Sequence, residues 1–201
     1  MNQSIAVVGA GICGLFTGLS LARQGFDVTL FERDVPPPQG NAEEAFFSWQ
    51  RRGAAQFRHP HAFLGLMCSV LGEKYPDLLD ELLAAGARKL TFEDMVPDHL
   101  ADQYQPEAGD EKLWMLLCRR ATIETVLRNY VAREPNLRIQ SQTYVTDVIV
   151  EEAQSVQGEP TLTVTGLELT DRHNQNTKST HSADIIVNAS GRADKFYQWL
   201  Q

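Results

Sequence analysis

Three glycines and one acid carry the first chemical signal in the sequence. Gly9, Gly11 and Gly14 stand as G-x-G-x-x-G directly after the apolar run Ile5-Ala6-Val7-Val8. Leu15, Leu19 and Ala22 then recur at helical spacing, and Gly25 stops that helix. Val28-Thr29-Leu30-Phe31 reads as a second strand that ends on Glu32. The pattern suits a pyrophosphate. Gly9 permits a tight turn out of the strand, Gly11 lets backbone come close to phosphate oxygens, and Gly14 lets the helix pack closely on the sheet. The helix N-terminus adds free N–H groups and a partial positive charge. A carboxylate at Glu32 accepts the hydroxyls of an adenosine ribose and repels a 2′-phosphate. Strand, glycine loop, helix, strand and acid in this order predict a dinucleotide site. Two other readings of the stretch are a glycine-rich turn in an unrelated α/β protein and, because Ile5 to Ala22 holds no charge, a membrane span with Gly14 and Gly18 as a packing pair. The interrupting glycines and the lack of any preceding Lys or Arg speak against the span.

The second concentration of chemistry is the segment Phe46 to His61. Arg51, Arg52 and Arg58 cluster there with Gln56, His59 and His61 around Gly53. In a chain of net charge −8 such an island suggests an anion nearby; the plainer reading is a loop of arginine–carboxylate pairs. His59 and His61 flank a proline and lack the helical spacing of metal ligands. The acidic balance argues against a nucleic-acid partner and against an anionic membrane surface. Cys13, Cys68 and Cys118 are odd in number and scattered, which fits reduced thiols in a cytoplasmic setting. Cys13 lies in the glycine loop, where any small residue suffices. At 201 residues the chain has room for one domain with a small second lobe.

The elements that must position these residues follow in order. Asp34 to Asn41, with three consecutive prolines, reads as a loop. Ala62 to Leu71 and Leu78 to Leu83 carry helical spacing, split by Pro76. Lys89 to Met95 suggests a strand, Ala101 to Lys112 a polar loop, and Trp114 to Cys118 a short apolar strand followed by Arg119-Arg120. Thr122 is placed to cap a helix whose buried face is Ile123, Val126, Leu127, Tyr130 and Val131. Leu137-Arg138-Ile139 starts another strand. From Thr143 the period changes to two: Tyr144 to Val150, Thr161 to Leu169 and Ser179 to Ile186 read as strands, with turns at Gln157 to Pro160 and Asp171 to Asn176. The last strand turns fully apolar at Ile185-Ile186-Val187 and runs into Asn188-Ala189-Ser190-Gly191, small residues that bring a second backbone segment beside the dinucleotide.

Taken together, four segments resemble the N-terminal half of an FAD-dependent monooxygenase-type oxidoreductase, in the branch of aromatic hydroxylases and halogenases. They are Gly9 to Gly14 with Glu32-Arg33, the Arg51 to His61 island, Cys118-Arg119-Arg120 before a helix, and Asp184-Ile-Ile-Val-Asn-Ala-Ser-Gly-Arg. The first is common to many FAD and NAD proteins; the order of all four is far more specific. The resemblance implies an α/β, Rossmann-like FAD-binding fold with a parallel sheet and a crossing β-meander over residues 1–201, with 62–112 as an inserted part of a substrate lobe. It implies that Gly9, Gly11 and Gly14 cradle the FAD pyrophosphate and that Glu32 holds the ribose, with Arg33 at the adenine end. Arg119 would reach the pyrophosphate or ribityl region, Val145 the adenine through its backbone, and Arg51 and Gln56 the flavin or ribityl chain. Ala189, Ser190 and Gly191 would line the dinucleotide. The family uses NAD(P)H as reductant and a small-molecule substrate. A later Gly-Asp segment of the family is missing before Gln201, so the expectation is a fragment, a split enzyme completed by a second chain, or a non-catalytic nucleotide-binding remnant. An NAD-dependent dehydrogenase fits less well, because alternating βαβ units do not follow Glu32. No nucleophile–base pair is apparent, so no catalytic residue is assigned.

Overall fold

The chain runs β1 (Ser4–Val8), α1 (Ile12–Arg23), β2 (Asp27–Phe31), α2 (Ala42–Ser48), β3 (Pro60–Phe63), α3 (Gly65–Lys74), α4 (Pro76–Ala84), β4 (Arg88–Thr91), β5 (Trp114–Arg119), α5 (Arg120–Val131), β6 (Leu137–Gln140), β7 (Thr143–Gln154), β8 (Pro160–Asp171), β9 (Thr177–Ser182), β10 (Ile185–Asn188) and α6 (Phe196–Trp199). This is a computed structural model that describes residues 3–154, 160–172, 174, 176–191 and 195–200. The expected turn at Gln157 to Glu159 lies outside the described residues, as do two positions of the Asp171 to Asn176 turn. The chain divides into two units: residues 1–36, 50–55 and 128–201 form the first, and 37–49 and 56–127 the second.

The first unit is built on a parallel sheet of order β10-β1-β2-β6. Its central strand β1 pairs Ile5 to Val8 with Ile185 to Asn188 on one side and with Val28 to Phe31 on the other. Side chains alternate across such a strand, so β1 serves two layers at once. Ala6, Val8 and Phe31 pack with Val148, Leu167 and Leu169 of the antiparallel meander β7-β8-β9 and with Ala183 just beyond it. The opposite face receives α1, whose Leu15 and Leu19 are fully buried. The Ile5 to Ala22 stretch is thus a strand, a turn and a 12-residue helix. Among the described residues no helix is long and apolar enough to cross a membrane.

In the second unit β5 is the middle of an antiparallel sheet, β3-β5-β4. Its alternation is regular, with Trp114, Leu116 and Cys118 buried. Leu71, Leu78 and Leu82 of α3 and α4 are fully buried as well. Arg120, at the start of α5, pairs one turn ahead with Glu124 at 2.6 Å.

Several expectations need correcting here. Pro60 to Phe63 is a strand, and the helix expected from Ala62 begins only at Gly65; pairing with Leu116 to Arg119 decides this, a partner remote in sequence. Pro76 opens α4 at its first turn, where a missing N–H does no harm. The strand expected to Met95 stops at Thr91, where the Asp94 carboxylate captures the Thr91 N–H at 2.8 Å. Thr122 caps nothing: α5 leaves β5 directly at Arg120, and Thr122 is buried within it. The strand expected from Ser179 to Ile186 is two strands, β9 in the meander and β10 in the parallel sheet. The break falls at Asp184, whose carboxylate accepts from the Ser4 N–H at 2.7 Å and its hydroxyl at 2.8 Å. Those two bonds lower the Asp184 pKa, the backbone one most.

Candidate functional site

The glycine loop sits at the C-terminal ends of β1, β2 and β10, the position where open parallel sheets hold ligands. Two backbone hydrogen bonds fasten it: Gly9 N–H donates to the Phe31 carbonyl at 2.8 Å, and Ala189 N–H donates to the Val8 carbonyl at 2.8 Å. Each glycine has a separate reason. Gly9 has φ +100°, and a Cβ there would lie 2.5 Å from the Ala189 carbonyl oxygen. A Cβ on Gly14 would overlap the Gly9 carbonyl oxygen. Gly14 therefore lets the helix approach its own loop. The close approach of helix to sheet belongs to Gly18, where a Cβ would come within 2.9 Å of Leu30, a role that the spacing of Gly14 and Gly18 as a packing pair does not disclose. Around Gly11 a Cβ would meet nothing within 4 Å. Gly11 is the N-cap of α1 and has extended backbone, and no side chain caps the helix. The loop thus presents an open face at a helix N-terminus, with N–H groups and no side chain in the way.

One wall of this face is charged. Glu32 and Asp34 are each 4% exposed, and Arg51 is 8% exposed. Arg51 Nη1 lies 2.9 Å from Glu32 Oε2 and 3.1 Å from Asp34 Oδ2. The Ala10 N–H donates to Glu32 Oε2 at 3.1 Å, and the Asp34 N–H to Oε1 at 3.0 Å. Gly53 N–H donates to Asp34 Oδ2 at 3.2 Å. Of the two readings of the basic island, arginine–carboxylate pairing describes Arg51. Asp34 and Ala10 were not foreseen; an acid two residues beyond the strand-end acid was the available signal.

The other wall is small and neutral. Ser190 donates to Asn188 Oδ1 from its N–H at 3.1 Å and its hydroxyl at 2.6 Å, and Gly191 turns with φ +85°. Arg33 lies exposed in a cleft of about 150 Å³ with Gln50, Arg52, Gln142, Tyr144 and Arg172. The Arg172 guanidinium stacks 3.8 Å from the Tyr144 ring centre. Val145 pairs with Leu169 immediately before a bulge in β7. The structure thus gathers Gly9, Gly11, Gly14, Glu32, Arg33, Arg51, Val145, Ala189, Ser190 and Gly191 in the first unit. Gln56 and Arg119 belong to the second. Gln56 accepts the His59 N–H at 3.0 Å through its carbonyl, and the Arg119 guanidinium stacks on Phe46 at 4.6 Å. Cys118, beside Arg119, has its thiol pushed up to about 11 by burial.

Residues 4–95 match the family of FAD dependent oxidoreductases. That match spans just under half of the chain, and FAD is the cofactor it supports; the uncapped helix end with an open Gly11 fits such a group. The fold of the chain is shared with several proteins of known structure. p-Nitrophenol 4-monooxygenase from Pseudomonas putida superposes with a TM-score of 0.63 at 16% identity, over 99% of this chain and 43% of that one. A myxobacterial FAD-dependent halogenase, of chondrochloren, gives 0.60 at 18%, over 98% and 39%. THI4 of Thermovibrio ammonificans gives 0.58 at 19%, over 100% and 62%. Among curated proteins, a subunit of the Escherichia coli NAD-dependent dihydropyrimidine dehydrogenase, PreT, is 37% identical over 60 residues, which is 30% of this chain and 12% of PreT. The chain thus spans a small part of that relative and less than two thirds of the solved structures.

Proposed function

We propose that the chain is the FAD-binding portion of a flavin-dependent monooxygenase-type oxidoreductase that acts on a small molecule in the cytoplasm. The observation that carries this reading is the open face at Gly11, set between the Glu32 carboxylate and the Ala189 to Gly191 backbone. In this assignment the Gly9 to Gly14 loop and the first N–H groups of α1 receive the pyrophosphate. A carboxylate offers about four acceptor positions. Three donors already meet Glu32, so it takes one ribose hydroxyl, not both. Arg33 lies at the adenine end, and Val145 offers its backbone to the adenine beside the bulge. Ala189, Ser190 and Gly191 form the opposing wall. The assignment is confined to the first unit. When bound, FAD supplies hydride acceptance from NAD(P)H and reaction with dioxygen, while the chain supplies position and a dry setting. A second chain at the flavin half is part of the proposal, supported by the similarity to PreT, which is a subunit of its enzyme.

The test is a titration of the purified chain with FAD, read by flavin absorbance, together with an oxygen-uptake assay with FAD and NAD(P)H. Binding in the micromolar range or weaker, about −8 kcal/mol or less favourable, and no oxygen uptake are expected. Gly11→Val is expected to keep the circular dichroism of the parent and to lose FAD. A folded Gly11→Val variant with unchanged affinity, or tight FAD retention with substrate-dependent oxygen uptake by these residues alone, overturns the reading.

A further inference from the structure

The buried Arg51 closes a ring of contacts around the glycine loop. Its Nη1 meets Glu32 Oε2 at 2.9 Å, its Nη2 reaches the Ala10 carbonyl at 3.4 Å, and the Ala10 N–H returns to the same Glu32 oxygen at 3.1 Å. One guanidinium therefore holds both backbone polar groups of Ala10, either directly or through the acid. Asp34 anchors the guanidinium from the other side at 3.1 Å, and Gly53 N–H steadies Asp34 at 3.2 Å. The five donors of a guanidinium have fixed directions, so bridging two carboxylates and a carbonyl sets the orientation of all three. Without it Glu32 and Asp34 would face each other with no cation between them, and Glu32 would be free to turn away.

We infer that Arg51 is a positioning residue for cofactor recognition. It fixes the Glu32 carboxylate and the Ala10 peptide, and makes no contact of its own with FAD. This differs from the expectation that Arg51 approaches the flavin or ribityl chain, and it rests on the reading of Glu32 as the ribose acceptor. A residue that acts through Glu32 loses its effect once Glu32 is changed, whereas a residue that touches the cofactor keeps it.

The experiment is a titration with FAD, read by flavin fluorescence, of the parent, R51M, E32Q and R51M/E32Q, each checked for folding by circular dichroism. R51M and E32Q are each expected to weaken binding about tenfold, the scale of one charge-assisted hydrogen bond. The double variant is expected to be no weaker than about tenfold. R51K, which keeps the charge but loses the fixed fork, is expected to recover only part of the loss. If R51M does not fold, R51K and R51K/E32Q take its place in the same cycle, with the same non-additive outcome expected. A double variant weakened about a hundredfold means that Arg51 acts independently of Glu32 and overturns the inference. So does an Arg51 variant of parental affinity. Failure of the underlying reading shows separately, as an E32Q protein that binds FAD like the parent.

Discussion

The two strands that flank β1 end in opposite ways. At the end of β2 the chain spends two acids, one arginine and three backbone N–H groups on one another, almost out of contact with solvent. At the end of β10 it places Ala189, Ser190 and Gly191, held by a side chain two residues back and by one bond to β1. The first wall is built on charge and fixed direction; the second is built on small residues, leaving backbone where side chains would intrude. In the proposed assignment the difference means that rigidity is concentrated where the site discriminates. A misplaced carboxylate loses its ligand, but a small residue that shifts slightly still leaves space.

The loop between the walls is the most sensitive place to break this contrast. Gly14→Ala puts a methyl group into the Gly9 carbonyl, a backbone group, with no flexible side chain to yield. A loss of about 3 kcal/mol in urea unfolding, or failure to fold, is expected. Gly11→Ala, with open space around it, should change stability by less than about 1 kcal/mol. Equal effects at the two positions would contradict the division of roles. Next in size, Glu32→Ala should weaken FAD binding by about 1–3 kcal/mol while Arg51 keeps Asp34. Calorimetric titration reads this directly, and undiminished affinity would remove the discriminating wall. On the other side, Ser190→Ala should lower stability by no more than about 1 kcal/mol and leave FAD affinity within about twofold, since a partly exposed hydroxyl is lost and no charge moves. A larger binding loss would make this wall a recognition surface too.

The smallest effect is a pH dependence at the base of the charged wall. The half-buried His181 packs edge-on to Phe31, the last residue of β2, with ring centres 4.9 Å apart, and burial lowers its pKa. A folded pKa below the unfolded value of about 6.5 means that the unfolded chain binds the proton first. Stability should therefore be full above that value and decline as pH falls from about 6.5 toward the folded pKa. Melting temperatures between pH 7.5 and 5 check this, and His181→Phe should flatten the slope over that range.

Much of the first unit was legible because its signals are local. A strand, a glycine turn and a helix that follow within two dozen residues write their periods one after another, and the acid closes the pattern. The errors came where a distant partner decides. Ala62 and Phe63 look helical until Leu117 and Leu116 pair with them. The run through Ala183 looks like one strand until Asp184 is caught by Ser4 at the far end of the chain. Arg51 was visible as a charge, but its two carboxylates are 17 and 19 residues away, and nothing in spacing says that they turn toward it. The helix α2 was missed despite a readable start: Asn41 accepts from the N–H groups of Glu43 and Glu44, with both acids in the first turn.

The pairing of β1 with β10 also governs how the chain is made. Ser4 and Asp184 are 180 positions apart, and β10 lies next to the central strand of the parallel sheet. At synthesis rates of about 5–20 residues per second, β1 leaves the ribosome roughly ten to forty seconds before its second neighbour exists. Through that interval the Ile5 to Val8 edge has no strand beside it, and an apolar edge invites pairing with other chains. The glycine loop takes its final form late as well, since Ala189 supplies the contact that only Gly9 admits. A nascent chain of this sequence therefore depends on protection of its first strand until its last one arrives.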